Sequence, residues 1–256
     1  MVSLQIVKAK IKLKTKSEMN IAIIGYGRMG EQIEAIAMER KHKIVAYIDN
    51  EQDWEKQGCK LKEADIAIEF STPNTVLANI EKCFQRDLPM VVGTTGWHES
   101  LQKVKNLCIA NNQTLLYASN FSLGVNLFFA LNRALAKIMN GHSEYDVNIE
   151  EIHHTAKKDS PSGTAITLAN DIIKYLSHKE SWINEINDKT KELSIKSERI
   201  SNIIGTHVVT YLSDLDEIEI KHTSLNRKNF AIGAVKAAEW LLGKRGFYSI
   251  NDMLNF

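Results

Sequence analysis

"NIAIIGYGRMG", Asn20–Gly30, is an unbroken apolar run that ends in glycines spaced G-x-G-x-x-G at Gly25, Gly27 and Gly30. A short apolar run closed by glycine reads as a buried strand and a tight turn. The next stretch, Glu31–Arg40, has the spacing of a helix. Strand, glycine turn and helix in that order bring backbone amides to a pyrophosphate and aim the positive end of a helix at it. Asp49 closes the following apolar segment, "KIVAYID". It lies about 20 residues on, where the acid that bonds a ribose 2′-hydroxyl belongs.

The same alternation continues downstream. "ADIAIEFST" (Ala64–Thr72), "PMVVGTTG" (Pro89–Gly96) and "TLLYASN" (Thr114–Asn120) read as strands, separated by helical patterns at Asn74–Asp87 and Ser100–Asn112. Strands alternating with helices predict an α/β fold, a Rossmann-type doubly wound parallel sheet. Ligands of such sheets bind beyond the C-terminal ends of the strands. Small or polar residues cluster at those ends: Gly25–Gly30, Asp49, Ser71–Pro73, Gly93–Gly96 and Ala118–Phe121. An aspartate at position 49 accepts from a 2′-hydroxyl and repels a 2′-phosphate, and Asn50 beside it is no cation, so NADH is favoured. Arg28 keeps NADPH open as a second cofactor.

After Phe121 the pattern changes to that of a smaller α+β domain. Leu123–Met139 is a long helix with an apolar face, Tyr145–His154 alternates like a half-buried strand, and a helix is expected from about Thr164 to Leu176. Ser181–Ser201 is polar and turn-like, with weak periodicity. Thr206–Ser224 reads as strands with a turn near Ser213–Asp216, and Ala231–Gly243 as a last helix that returns to the first domain. The expected division is residues 1–123 with 228–256 as the dinucleotide-binding domain and residues 124–227 as the domain for substrate and oligomerisation.

Composition narrows the function. The chain has 256 residues, 44% of them apolar, enough for one large or two small domains. With 32 basic and 31 acidic residues its net charge is +1, which argues against bulk binding to nucleic acid or an anionic membrane. No apolar run approaches a membrane span. Cys59, Cys83 and Cys108 have neither metal-ligand spacing nor an even count, which suits a reducing cytoplasm. Val2–Lys16 carries five lysines and no acid. An edge strand with a lysine face and a targeting peptide are two readings of it. An extension upstream of a natural start at Met19 is the favoured one.

The basic charge that exists is concentrated in "EEIHHTAKKDSPSGTA", Glu150–Ala165. Ser162 stands where a helix N-cap is expected, ahead of amides that lack partners and attract an anion. Gly163 lets a ligand approach the backbone and Thr164 adds a hydroxyl. His153 and His154 end a strand, so they point to opposite faces and one of them is free to serve as a proton donor. That divergence also argues against their chelating one metal ion. Lys157 and Lys158 supply cations nearby. A solvated loop explains any one of these features, and a pocket for an anion and a proton explains them together.

The stretch "EIHHTAKKDSPSGTA" closely resembles the E-x-H-H-x-x-K-x-D-x-P-S-G-T-A signature of the 4-hydroxy-tetrahydrodipicolinate (dihydrodipicolinate) reductase family. Supporting matches, in the family's order, are "GRMG", "EFSTP", "VVGTTGW", "ASNFSLGVN", "GTH" at Gly205 and "NRKNFAIGAVKAAEWL". The resemblance implies an NAD(P)H-dependent reductase of lysine and diaminopimelate biosynthesis, homotetrameric and cytoplasmic. Its substrate would be a small cyclic imine with two carboxylates. It further implies His153 as general acid with Lys157 as its partner at the substrate. His154, Ser162, Gly163 and Thr164 would hold the carboxylates, and Arg227 would add a cation. Gly25, Gly27, Arg28, Met29, Gly30, Asp49, Ser71, Gly93, Thr94, Thr95, Ala118, Asn120 and Phe121 would line the cofactor, with no metal involved.

Three positions depart from the family pattern. The glycine loop is one residue shorter, Asp49-Asn50 replaces an acid–arginine pair, and Asn226 replaces a serine. They bear on cofactor choice more than on the reaction. Two rivals remain distinct: another two-domain dehydrogenase, against which the histidine–lysine signature argues, and an NADH-sensing regulator, which calls for a basic DNA-binding helix that the sequence lacks.

Overall fold

The structure is a computed structural model that describes residues 18–185, 191–226 and 228–255. The lysine-rich segment before Glu18 and the expected substrate cation Arg227 lie outside the described residues.

The first sheet follows the predicted alternation. Strands β1 (Asn20–Ile24), β2 (Lys43–Ile48), β3 (Ile66–Glu69), β4 (Met90–Val92) and β5 (Thr114–Tyr117) are interleaved with helices α1 (Arg28–Glu39), α2 (Glu51–Gln57), α3 (Val76–Phe84) and α4 (His98–Ala110). In β1, Ile21 and Ile23 enter one apolar core and Ala22 and Ile24 the other, all at most 1% exposed. Burial on both faces is why these strands read as unbroken apolar runs rather than as alternation. Helix α2 was not apparent from the sequence, because it is short and polar. A capping box between Asn50 and Asp53 starts it.

The second sheet is mixed. Helix α5 (Leu123–Met139) leads to β6 (Asp146–His153), α6 (Gly163–Tyr175), β7 (Ser181–Ile183), β8 (Glu192–Arg199), β9 (Gly205–Leu212) and β10 (Glu217–Ser224). The strand order is β10-β9-β6-β8-β7, with β6 antiparallel to β9 and parallel to β8. Residues of α5 and α6 share a core with Val147, Ile149, Leu193, Ile195, Val209 and Tyr211 of β6, β8 and β9.

This arrangement corrects the reading of Ser181–Ser201 as turn-like, because β7 and β8 lie there and β8 sits beside β6 at the centre of the sheet. Only Leu193 and Ile195 mark its inward face as apolar. The next two inward residues, Ser197 and Arg199, are polar because they meet a buried polar site.

The chain then returns to the first sheet. In helix α7 (Lys228–Leu241), Ala231, Ala234, Ala237 and Ala238 are fully buried in the core that holds Ile21 and Ile23. Such small residues let a helix approach closely. Arg40 and His42 tie α7 to the turn after α1 through Glu239, at 2.8 and 3.0 Å. Strand β11 (Gly246–Ser249) then pairs parallel with β5, and α8 (Ile250–Leu254) ends the described chain. The first sheet is thus six parallel strands in the order β11-β5-β4-β3-β1-β2, with its connections reversing direction at β1 and β3. Among the described residues, no helix is long and apolar enough to cross a membrane.

Candidate functional site

One set of candidates lies along the C-terminal ends of β1 to β5. Gly25 follows β1 with φ +88°, and a Cβ there would fall 2.3 Å from the Phe70 carbonyl oxygen just past β3. Only glycine accepts both the dihedral and the approach. Gly27 caps α1 without a side-chain hydrogen bond, and nothing lies within 4 Å of where its Cβ would be. The first amides of α1 are therefore left for an anion, the cradle that a pyrophosphate needs.

Tyr26 does not obstruct that cradle, because its hydroxyl bonds Glu34 and its ring packs edge-on against Tyr47. Its N–H donates to Asp49 Oδ1 at 2.8 Å, which fixes the exposed Asp49 beside the loop. Arg28 is exposed and Met29 half-buried at the start of α1, while Gly30 is buried against Gly25.

The turns after β3 and β4 are bound to each other. Ser71 N–H donates to Thr94 Oγ1 at 2.8 Å, and Ser71 Oγ bonds the carboxylate of Glu69. Glu69 is fully buried, and burial pushes its carboxyl above the usual range against hydrogen bonds from Ser71, Thr94 and Asn79. Gly93 lies against the Phe70 ring and Thr95 is exposed. Past β5, Ala118 and Phe121 are buried, and Asn120 Oδ1 accepts the Ser122 N–H at 2.8 Å. The cofactor candidates therefore line one edge of one sheet.

A second set lies where β6 meets α6. His153 is the last residue of β6 and is 7% exposed, while His154 beyond it is half-buried. Ser162 caps α6, its Oγ accepting the Ala165 N–H at 3.2 Å. Ser162 is itself only 2% exposed, and its N–H donates to Glu151 at 3.0 Å. With Ser162 turned inward, the amides of Gly163 and Thr164 begin this helix, ahead of the helical ladder. Lys157 is half-buried, and its Nζ meets both oxygens of Asp159 at 2.8 Å.

Beneath His153 sits a cluster that sequence reasoning did not single out. Glu151, fully buried, accepts from Ser162, from Ser197 Oγ at 2.9 Å and from Arg199 Nη2 at 3.2 Å. His207 Nε2 lies 3.1 Å from Ser162 Oγ and 3.6 Å from Glu151 Oε2. Burial alone would raise the Glu151 carboxyl, yet the neighbouring His207 and hydrogen bonds from Ser162 and Ser197 hold it far below the usual range. His153 is pushed down to about 4, first by burial and then by His207, with Glu151 opposing.

Glu151, His153 and His207 have ligand atoms within 4.8 Å of one another. A metal ion there would face the Arg199 guanidinium, and Glu151 already accepts three donors, so this set suits a proton better than a cation.

Two of these residues had a signal in the sequence. Glu151 lies two places before His153 on one strand, hence on the same face, and His207 belongs to "GTH". Ser197 and Arg199 had none, because β8 was not legible.

Comparison with known proteins covers nearly the whole described chain. The family model "Dihydrodipicolinate reductase, N-terminus" matches residues 19–121, and "Dihydrodipicolinate reductase, C-terminus" matches residues 124–254. A protein of Christiangramia forsetii named 4-hydroxy-tetrahydrodipicolinate reductase is 48% identical over 93% of this chain and 98% of its own. One of the same name from Rickettsia bellii is 37% identical, over 91% and 94%. A solved dihydrodipicolinate reductase from a Paenisporosarcina species, with dipicolinate bound, superposes with a TM-score of 0.72 at 24% identity. It covers 91% of this chain and 98% of that one, and shares its fold.

Proposed function

The chain belongs to the dihydrodipicolinate reductase family, and on that premise we propose how it reduces 4-hydroxy-tetrahydrodipicolinate to tetrahydrodipicolinate, with loss of water, in lysine and diaminopimelate biosynthesis. One observation carries the reading: a buried histidine, a lysine whose charge acts on it and the start of α6 lie within one short run, His153–Thr164, as a small dianion that must gain a proton requires.

The amides of Gly163 and Thr164, with Lys157 and His154, hold the two ring carboxylates. Lys157 leaves Asp159 for the substrate as it binds. A nicotinamide, when bound, would supply hydride for ring carbon C4 once water has left. His153 gives the one proton that the resulting enamine needs. Lys157 steadies the charge as it develops, a role worth roughly 10²- to 10³-fold in typical sites. The open amides of α1 would hold the cofactor's pyrophosphate, and Asp49 would bond its ribose.

Asp49 also makes NADH the preferred cofactor, because a 2′-phosphate would meet its carboxylate and Asn50, which is committed to capping α2. The cofactor side comprises residues 1–123 with 228–256 and the substrate side residues 124–227, a division supported by the return of α7 and β11 to the first sheet.

The test supplies the purified protein with the condensation product of pyruvate and aspartate semialdehyde and follows NADH and NADPH oxidation separately. Faster oxidation of NADH is expected. Oxidation of neither would overturn the reaction, and faster oxidation of NADPH would overturn the cofactor preference.

The protein works as a homotetramer in this reading, which the exposed side chains of Leu212, Leu215 and Ile218 around the β9–β10 turn support. Light scattering that gave a monomer or a dimer at working concentration would refute it. The free thiols of Cys59, Cys83 and Cys108 support a reducing cytoplasm, and recovery from an oxidising compartment on fractionation would refute that.

A further inference from the structure

We propose that Glu151 and His207 are positioning residues that hold the His153 imidazole in one tautomer and one orientation, tying the proton donor to the helix start that receives the substrate's carboxylate. The proposal rests on the reading of His153 as the donor. Glu151 and His153 are two apart on β6 and share its inner face, and the β6–β9 pairing sets His207 directly opposite Glu151. The β6–β8 pairing sets Ser197 opposite Glu151 and Arg199 opposite His153. Three neighbouring strands thus aim polar side chains at one buried point.

At that point His153 Nδ1 is buried without a hydrogen-bond partner and lies 3.4 Å from Glu151 Oε2. A buried ring nitrogen without a partner is costly, and a shift of a few tenths of an ångström closes the bond. Catalytic hydrogen bonds commonly shorten in this way when substrate binds. With its proton on Nδ1 held by Glu151, His153 gives up the proton of Nε2. That nitrogen lies over the bare backbone of Gly205, where a Cβ would stand 3.0 Å away. This assigns both ends of the "GTH" stretch: Gly205 clears space for one histidine, and His207 is the other.

His207 packs edge-on against His153, with ring centroids 5.0 Å apart. Its Nε2 meets Ser162 Oγ, the cap of α6, while the Ser162 N–H is bound to Glu151. One carboxylate therefore anchors both the helix that takes the anion and the ring that gives the proton. The charged and titratable groups around His153 are Glu151 on its own strand, His207 on β9, Arg199 on β8 and Lys157 in the loop. Glu151 favours the protonated ring, and His207, Lys157 and Arg199 oppose it.

The two substitutions therefore move the pH profile in opposite directions. A donor must be protonated, so turnover falls as pH rises through its pKa. In Glu151→Gln the support for the charged ring is lost, and that limb moves to lower pH. In His207→Asn an opposing charge is lost, and it moves to higher pH.

The experiment measures kcat, substrate KM and the pH profile of both variants, together with NADH affinity and 15N spectra of the histidines. Glu151→Gln is expected to lower kcat on the order of 10²-fold, with substrate KM and NADH affinity nearly unchanged, and to abolish the Nδ1–H signature of His153. If both variants fold, bind NADH normally and keep the parent pH profile, the proposal is overturned. Should Glu151→Gln fail to fold, His207→Asn decides it by the same profile. A His153→Gln control separates the two readings: normal turnover there defeats the donor assignment itself, whereas slow turnover beside parent-like Glu151 and His207 variants defeats only the positioning role.

Discussion

With His153 replaced by glutamine, turnover falls about 10²- to 10⁴-fold at neutral pH, while NADH binds as tightly as to the parent protein. Glutamine fills similar space and can still donate to Glu151, but it has no proton to release to a carbon. Solvent does not readily take over, because His153 is 7% exposed and is enclosed by Glu151, His207 and Gly205. The proposed cofactor cradle stands on other elements, at the ends of β1 to β5, and makes no use of this ring.

A second readout follows from the charge balance. Burial and His207 push the free histidine down to about 4, so it is neutral at pH 7. A ring dicarboxylate offsets the charges of Lys157 and Arg199, which raises the pKa of His153 and draws a proton in from solvent. Calorimetry in buffers of different ionisation enthalpy should therefore show proton uptake on binding dipicolinate by the parent but not by His153→Gln. Parent-like turnover in a folded His153→Gln protein would falsify the assignment.

Replacing Gly233 with alanine unfolds the protein at a markedly lower temperature. Gly233 lies on the buried face of α7, and an added Cβ would fall 1.7 Å from the Phe121 carbonyl oxygen. The obstacle is backbone, so no rotamer change relieves it. The helix has to withdraw from a face on which Ala231, Ala234, Ala237 and Ala238 are fully buried. Overpacking by a single group costs about 1–3 kcal/mol where side chains can give way, and a backbone collision belongs at or above the top of that range. About 3 kcal/mol corresponds to roughly 6–12 °C in a chain of this size.

NADH affinity falls as well, since Phe121 and Asn120 lie at the edge where the cofactor candidates gather. Gly163→Ala is the control for stability, because nothing lies within 4 Å of its Cβ position, and its melting temperature stays near the parent's. A Gly233→Ala protein that melts with the parent would show that α7 does not pack so closely on Phe121.

The first sheet was legible because its strands are buried on both faces, and a chain without polar interruptions over Ile21–Ile24 or Ile66–Ile68 has few alternatives. Its C-terminal edge was legible for the same reason, since each apolar run stops at small or polar residues. Helix α2 and strand β11 were hidden by length: each is short, and its place is set by a cap or by a neighbouring strand. Strand β8 was hidden by its task. A strand that delivers Ser197 and Arg199 to a buried carboxylate cannot also show an apolar face along its whole length.

By itself, then, the sequence determined strands β1 to β5 with the longer helices, the glycine cradle with Asp49, and the local run from His153 to Thr164. These are short-range features, written in periodicity, dihedral demand and neighbouring residues. Only the tertiary structure decided which side chains stand around His153. Glu151, Ser162, Ser197, Arg199 and His207 come from three strands and a helix start, up to 56 residues apart along the chain. Strand register brings them together, and register is a property of the folded sheet: a slip of one residue would turn every one of those strand side chains to the opposite face.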